Sequence, residues 1–167
     1  MPEMLRIFLG VLILTISFVA YFLVTNALFP QRVGKTKEII QSMPGRSFGI
    51  GFVNFAFFFV IAFVLLAFSG RIQNGIFKSL VMIPALIVLA VMSILLTFGL
   101  TAMSSYLGER IIPEAHPSKQ TVWGTVCLCF GCALPFVGWF LLFPYIGFVG
   151  IGAFILGVFQ KSVVKTE

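Results

Sequence analysis

Three cysteines lie close together as Cys127-x-Cys129-x-x-Cys132, the most conspicuous reactive cluster in the chain. Thiolates at such spacing can hold zinc or an iron–sulfur cluster, and the last two alone have the spacing of a redox C-x-x-C pair. A structural metal site usually takes four ligands. The chain offers no fourth Cys and only one His, His116, eleven residues before Cys127 between Pro113 and Pro117. On a helix Cys129 and Cys132 share a face, while Cys127 is turned about 200° from Cys129. The cluster therefore reads as packing by small apolar side chains, with metal or redox work as the competing reading. No metal and no cofactor is expected.

Other chemistry is scarcer. The chain has no Asp, and Glu3, Glu38, Glu109, Glu114 and Glu167 all fall outside the long apolar runs. Pumps and proton-coupled transporters commonly place ionisable groups at membrane depth, and a hydrolase needs paired carboxylates or a Ser/His/Asp set. Neither is found, so no enzyme is expected. Gly34-Lys35-Thr36 matches the end of a phosphate loop, but Phe29 holds the earlier glycine position and no strand precedes it.

These side chains must be positioned by membrane helices. Sixty per cent of the 167 residues are hydrophobic and 10% charged, which places the chain outside soluble domains. The net charge of +6 resides in short connectors, where membrane topology accounts for it and no nucleic-acid partner is needed. Uncharged runs cover Ile7–Gln31, Ser47–Gly70 and Ser79–Gly108, each longer than the roughly 20 residues of a spanning helix. The first shows no cleavable signal pattern. The spans are expected at about 5–29, 48–69 and 79–106 of a single polytopic domain, 1–167. Lys35–Met43, in the first connector, reads as a short helix on the cytoplasmic leaflet or as a solvated linker.

A fourth uncharged run, Gln120–Gln160, has 41 residues, which as one helix would measure about 60 Å, twice the bilayer's hydrocarbon thickness. Pro135 and Pro144 near its centre predict a break. If the run crosses once, the basic residues divide six inside to five outside; if it returns, eight inside to three outside. The positive-inside rule favours the return. A helical hairpin over 121–160, with arms 121–134 and 145–160, is therefore expected, either re-entrant or as two short spans. The fold class is an all-α integral membrane protein of three transmembrane helices and this Pro/Gly-broken hairpin, with the N-terminus outside and the C-terminus cytoplasmic.

Within these elements Gly124, Gly131 and Gly138 recur every seven residues, and Gly150 and Gly157 mark the last arm. Small residues let membrane helices approach closely, so these glycines are expected to pack against the rest of the bundle, a second copy or another protein. Asn26 and Asn54 fall at similar depth on antiparallel neighbours and are expected to hydrogen-bond to each other. Ser93, Thr97, Thr101 and Ser104 lie on one helical stripe, which serves either interhelical hydrogen bonds or, in an oligomer, the wall of a pore.

Leu107-Gly108-Glu109-Arg110, then Leu134-Pro135-Phe136-Val137-Gly138-Trp139 and the ending Gly147-Phe148-Val149-Gly150-Ile151-Gly152-Ala153 resemble a group of bacterial membrane domains found alone or beside bactofilin-like, polymer-forming cytoskeletal domains. The resemblance covers roughly the last 60 residues, and it implies a bacterial plasma membrane protein of scaffold or accessory type. The expected role is a structural or accessory membrane protein, self-assembling or a subunit of a larger complex, with lipid and other membrane helices as partners. A channel or facilitator is the alternative, and a metal or redox protein a more distant one.

Overall fold

The computed structural model describes residues 2–71, 75–134 and 136–159. They form α1 (Pro2–Leu28), α2 (Pro30–Ser42), α3 (Pro44–Arg71), α4 (Gly75–Ile111), α5 (Pro117–Ala133), a π-helical segment (Val137–Leu142) and α6 (Phe143–Phe159), with no strand among the described residues. Proline sets several boundaries. Pro30, Pro44 and Pro117 each open a helix, where the missing N–H costs nothing and the fixed φ suits the first turn. Phe29 (φ −130°, ψ 53°) and Met43 (φ −139°, ψ 60°) precede two of these prolines and have left helical geometry. α1, α2 and α3 thus follow one another with single-residue breaks.

Four helices among the described residues are long and apolar enough to cross a membrane: Glu3–Leu28, Pro44–Arg71, Phe77–Ile111 and Val137–Phe159. The first three overlap the spans read from the sequence, and the fourth takes in the second arm of the expected hairpin. The hairpin differs from expectation in where it turns. α5 ends at Ala133 with Leu134 extended (φ −65°, ψ 121°), and helical backbone resumes at Val137 rather than at 145. Pro144 lies inside this helical stretch. It has no N–H to donate, and the preceding π turn absorbs the interruption: the Phe143 N–H bonds to the Gly138 carbonyl, five residues back. Pro135 and Gln160 lie outside the described residues.

The core sits at one end of the molecule. Its buried side chains include Phe22 of α1, Leu100 and Met103 of α4, Leu128 of α5, and Ile146 and Val149 of α6. α2 belongs to it. The short helix expected to lie on the leaflet instead buries Val33, Thr36, Ile39 and Ile40 in contact with α4 and α6, because these positions repeat every three to four residues and form one face. Away from this end the chain thins out. No described side chain from Glu3 to Leu14 is buried, and between Phe77 and Phe98 only Ala85 is. The outer part of α3 buries only Ala62 and Ser69, small residues that suit its close packing against α4.

Candidate functional site

The six-helix end, here called the base, is assembled on backbone contact. A Cβ on Gly99 of α4 would stand 2.5 Å from the Gly150 carbonyl carbon of α6, and one on Gly150 would stand 2.7 Å from that of Gly99. α4 and α5 meet through a reciprocal pair, Gly108 facing the Gln120 carbonyl and Gly124 facing that of Ser104. α3 and α6 repeat the device, with Gly51 against the Phe148 carbonyl and Gly152 against that of Ser47. Hydrocarbon solvent gives helices no hydrophobic incentive to associate, so such contact supplies dispersion and Cα–H···O attraction instead.

The five glycines singled out in sequence are all used, but inside the chain. Gly124 and Gly150 sit in the crossings just described. A Cβ on Gly138 would stand 2.6 Å from the Cys132 and Gly131 carbonyl oxygens, which lets the hairpin close tightly. The corresponding distances are 3.0 Å from Gly131 to Leu142 Cδ2 and 3.4 Å from Gly157 to Ile39 Cδ1. Of the expected partners, the rest of the bundle is the one seen: α4, α5, α2 and the π-helical segment meet these faces. Gly51, Gly99, Gly108 and Gly152 were missed. Their signal in sequence is a small residue four positions away in Ser47/Gly51 and Ser104/Gly108, but spacing alone does not name the opposite helix.

A polar seam runs through the same interface. Thr121 of α5 gives its hydroxyl hydrogen to the Pro117 carbonyl (3.1 Å) and accepts from Asn26 Nδ2 (3.0 Å) and Ser105 Oγ (3.1 Å). Ser104 Oγ lies 2.6 Å from Thr125 Oγ1 and 3.0 Å from the Thr121 carbonyl. The expected pairing of Asn26 with Asn54 is not formed. Asn26 reaches α5, and Asn54 Nδ2 donates to the Ile50 carbonyl of its own helix at 2.9 Å, because α5 rather than α3 is packed beside this part of α1.

The hydroxyl stripe on α4 splits along its length. Ser93 and Thr97 donate to the carbonyls one turn back, and the Thr97 hydroxyl also lies 3.0 Å from that of Tyr21 on α1. Thr101 and Ser104 are wholly buried. In the single chain Thr97, Thr101 and Ser104 therefore sit at helix interfaces, while Ser93 is exposed and bonds only within α4.

Of the cysteines, Cys129 is buried, Cys132 half-buried and Cys127 exposed, as the helical angles require. No group of three or more His, Cys, Asp or Glu side chains that could hold a metal occurs among the described residues. His116 caps α5, its Nδ1 accepting from the Ser118 N–H at 3.4 Å. Charged groups gather at the open end of the base. Lys37 Nζ of α2 stands 3.2 Å from Glu109 Oε2, which also accepts from Gln41 Nε2 at 2.9 Å, and Arg110 lies over the Tyr106 ring. The two contacts to Glu109 tie the first connector to the end of α4 on one side of the molecule.

The hairpin tip presents the opposite chemistry. Phe136, Trp139 and Phe140 are 80%, 74% and 79% exposed, although Gly138 between them is buried. Phe136 has φ 69°, which is unusual for a residue with a side chain. Gly138 meets Cys132 across the turn, and further along the same helix Gly147 lies 3.5 Å from Leu96 Cδ1 of α4. No family model, no curated protein and no solved structure matches the chain.

Proposed function

We propose that the protein is a non-catalytic structural or accessory component of a membrane, a bacterial plasma membrane by the resemblance of its last third. It is held by α1, α3 and α4 as full spans, while α5 and α6 form a returning hairpin, re-entrant or two short spans, whose second arm Val137–Phe159 is itself long and apolar enough to cross. α5 is 17 residues long, about 25 Å at 1.5 Å per residue and short of a 30 Å hydrocarbon core. The base faces the cytoplasm, where Arg32, Lys37, Arg46, Arg110 and Lys119 satisfy the positive-inside rule, and the N-terminus lies outside.

The observation that carries the reading is the closure of the base. No buried side-chain nitrogen or oxygen among the described residues lacks a hydrogen-bond partner, and the glycine crossings bring the helices into backbone contact. A polar network with every member paired specifies a rigid interior. Nothing in it awaits a ligand, so the base suits a platform better than a pathway. Purified protein in proteoliposomes is expected to pass neither ions nor small neutral solutes above the rate of empty vesicles; a selective flux abolished by Thr97→Val would replace this reading with that of a facilitator.

A further inference from the structure

Helix count changes with depth. From the Gly99–Gly150 crossing toward Glu109, the molecule contains α1, α3, α4, α5 and α6, with α2 packed among them. On the other side of that crossing α4 runs 24 residues back to Gly75, about 36 Å. α3 runs 20 residues from Gly51 to Arg71, about 30 Å. The hairpin accompanies them only part of the way: Gly147 of α6 meets Leu96, and from Phe77 to Ile94 the only buried side chain of α4 is Ala85. α1 joins α4 through the Tyr21–Thr97 hydrogen bond, and its described residues between Glu3 and Leu14 have no buried side chain. The outer half therefore consists of one lone helix and one helical pair.

We propose that the protein is a molecular wedge that favours curved bilayers, with its base in the convex leaflet and lipid as the partner of its outer half. A helix with side chains is about 10–12 Å across, so two to three additional helices make the base wider by on the order of 200–300 Å². A leaflet that must admit this extra area relieves the mismatch by bending away from the narrow end. Two observations assign the partner as lipid. The outer faces are predominantly apolar, with Leu9, Ile13, Phe63, Ile83 and Ile87 exposed, as hydrocarbon requires. The base carries exposed Arg32, Arg46, Arg110 and Lys119 at its open end, complementary to anionic headgroups. A folded hairpin that accompanies the spans only part of the way thus gives the molecule its taper. The proposal holds whether or not the protein serves as a scaffold.

The test uses the unaltered chain with a protease-removable tag on its N-terminus, at the narrow end. It is reconstituted into small sonicated and large extruded vesicles of the same phosphatidylcholine–phosphatidylglycerol mixture, and the tag protected from external protease is measured. The convex leaflet of a small vesicle is its outer one, so the base should face outward and the tag should be protected roughly twofold more than in large vesicles, a bias in free energy below 1 kcal/mol. Equal protection in the two preparations would overturn the wedge. Native mass spectrometry in mild detergent supplies the second measurement. Single copies support the taper, whereas a stable assembly joined through the outer halves would fill the narrow end and overturn it.

Discussion

At the scale of single residues, glycine decides which helices meet. A side chain at Gly99 or Gly124 would have to occupy space held by the backbone of α6 or α4, and backbone cannot move aside as a rotamer can. Gly49 of α3 has open space where its Cβ would be. Gly99→Leu and Gly124→Leu are therefore expected to lower stability by about 3 kcal/mol or more through overpacking. Gly49→Leu should be neutral or stabilising by up to about 1 kcal/mol, since it removes a poor helix former without a clash. Thermal unfolding in a mild detergent checks both; equal losses at the packed and open positions would show that the crossings do not govern stability. The types of these residues were legible in sequence, as was the sharing of one face by Cys129 and Cys132. The partner of Asn26 was not, because similar depth on two helices does not make them neighbours.

At the scale of elements, the passage from α5 through the π-helical segment into α6 is defined by its proline and glycine chemistry. Pro117 opens α5, Gly138 lets the returning chain pass against the Cys132 carbonyl, and the π turn before Pro144 lets helix resume early. The tip then exposes Phe136, Trp139 and Phe140 to the membrane. Trp139 fluorescence in a Trp123→Phe background is expected to be quenched most by lipids brominated deep in the acyl chain, and less by lipids brominated near the headgroup. Strongest quenching from the headgroup region would mean that the hairpin crosses fully. α2 offers the converse lesson. Ile39, Ile40 and Met43 lie at helical spacing in sequence, but the face that α2 buries is Val33, Thr36, Ile39 and Ile40, and the surface that covers it belongs to α4 and α6, remote in the chain.

At the scale of the whole molecule, the Lys37–Glu109 ion pair places α2 and the end of α4 together, while α3 and α4 carry Arg71 and Lys78 to the far end. Arg46→Cys and Lys119→Cys are accordingly expected to react with an impermeant thiol reagent from the cytoplasmic side of intact cells, and Arg71→Cys from the outside. Labelling of Arg46→Cys and Lys119→Cys from opposite sides would break the arrangement of the base. The surface ion pair itself adds little stability, as exposed pairs contribute about 0–1 kcal/mol. Its value is as a marker of sidedness.

The sequence by itself determined that this is a helical membrane protein, where its three long apolar runs lie, and that the run from Gln120 to Gln160 must break. Those properties follow from run length, charge and proline, which act locally and against the bilayer. Tertiary structure alone decided that the glycine faces meet other segments of the same chain, that α2 enters the core, and that the burial of α4 thins out beyond Leu96 so that one end is broad and the other narrow. Periodicity specifies a face, but the element that covers it is selected by three-dimensional fit among helices far apart in sequence.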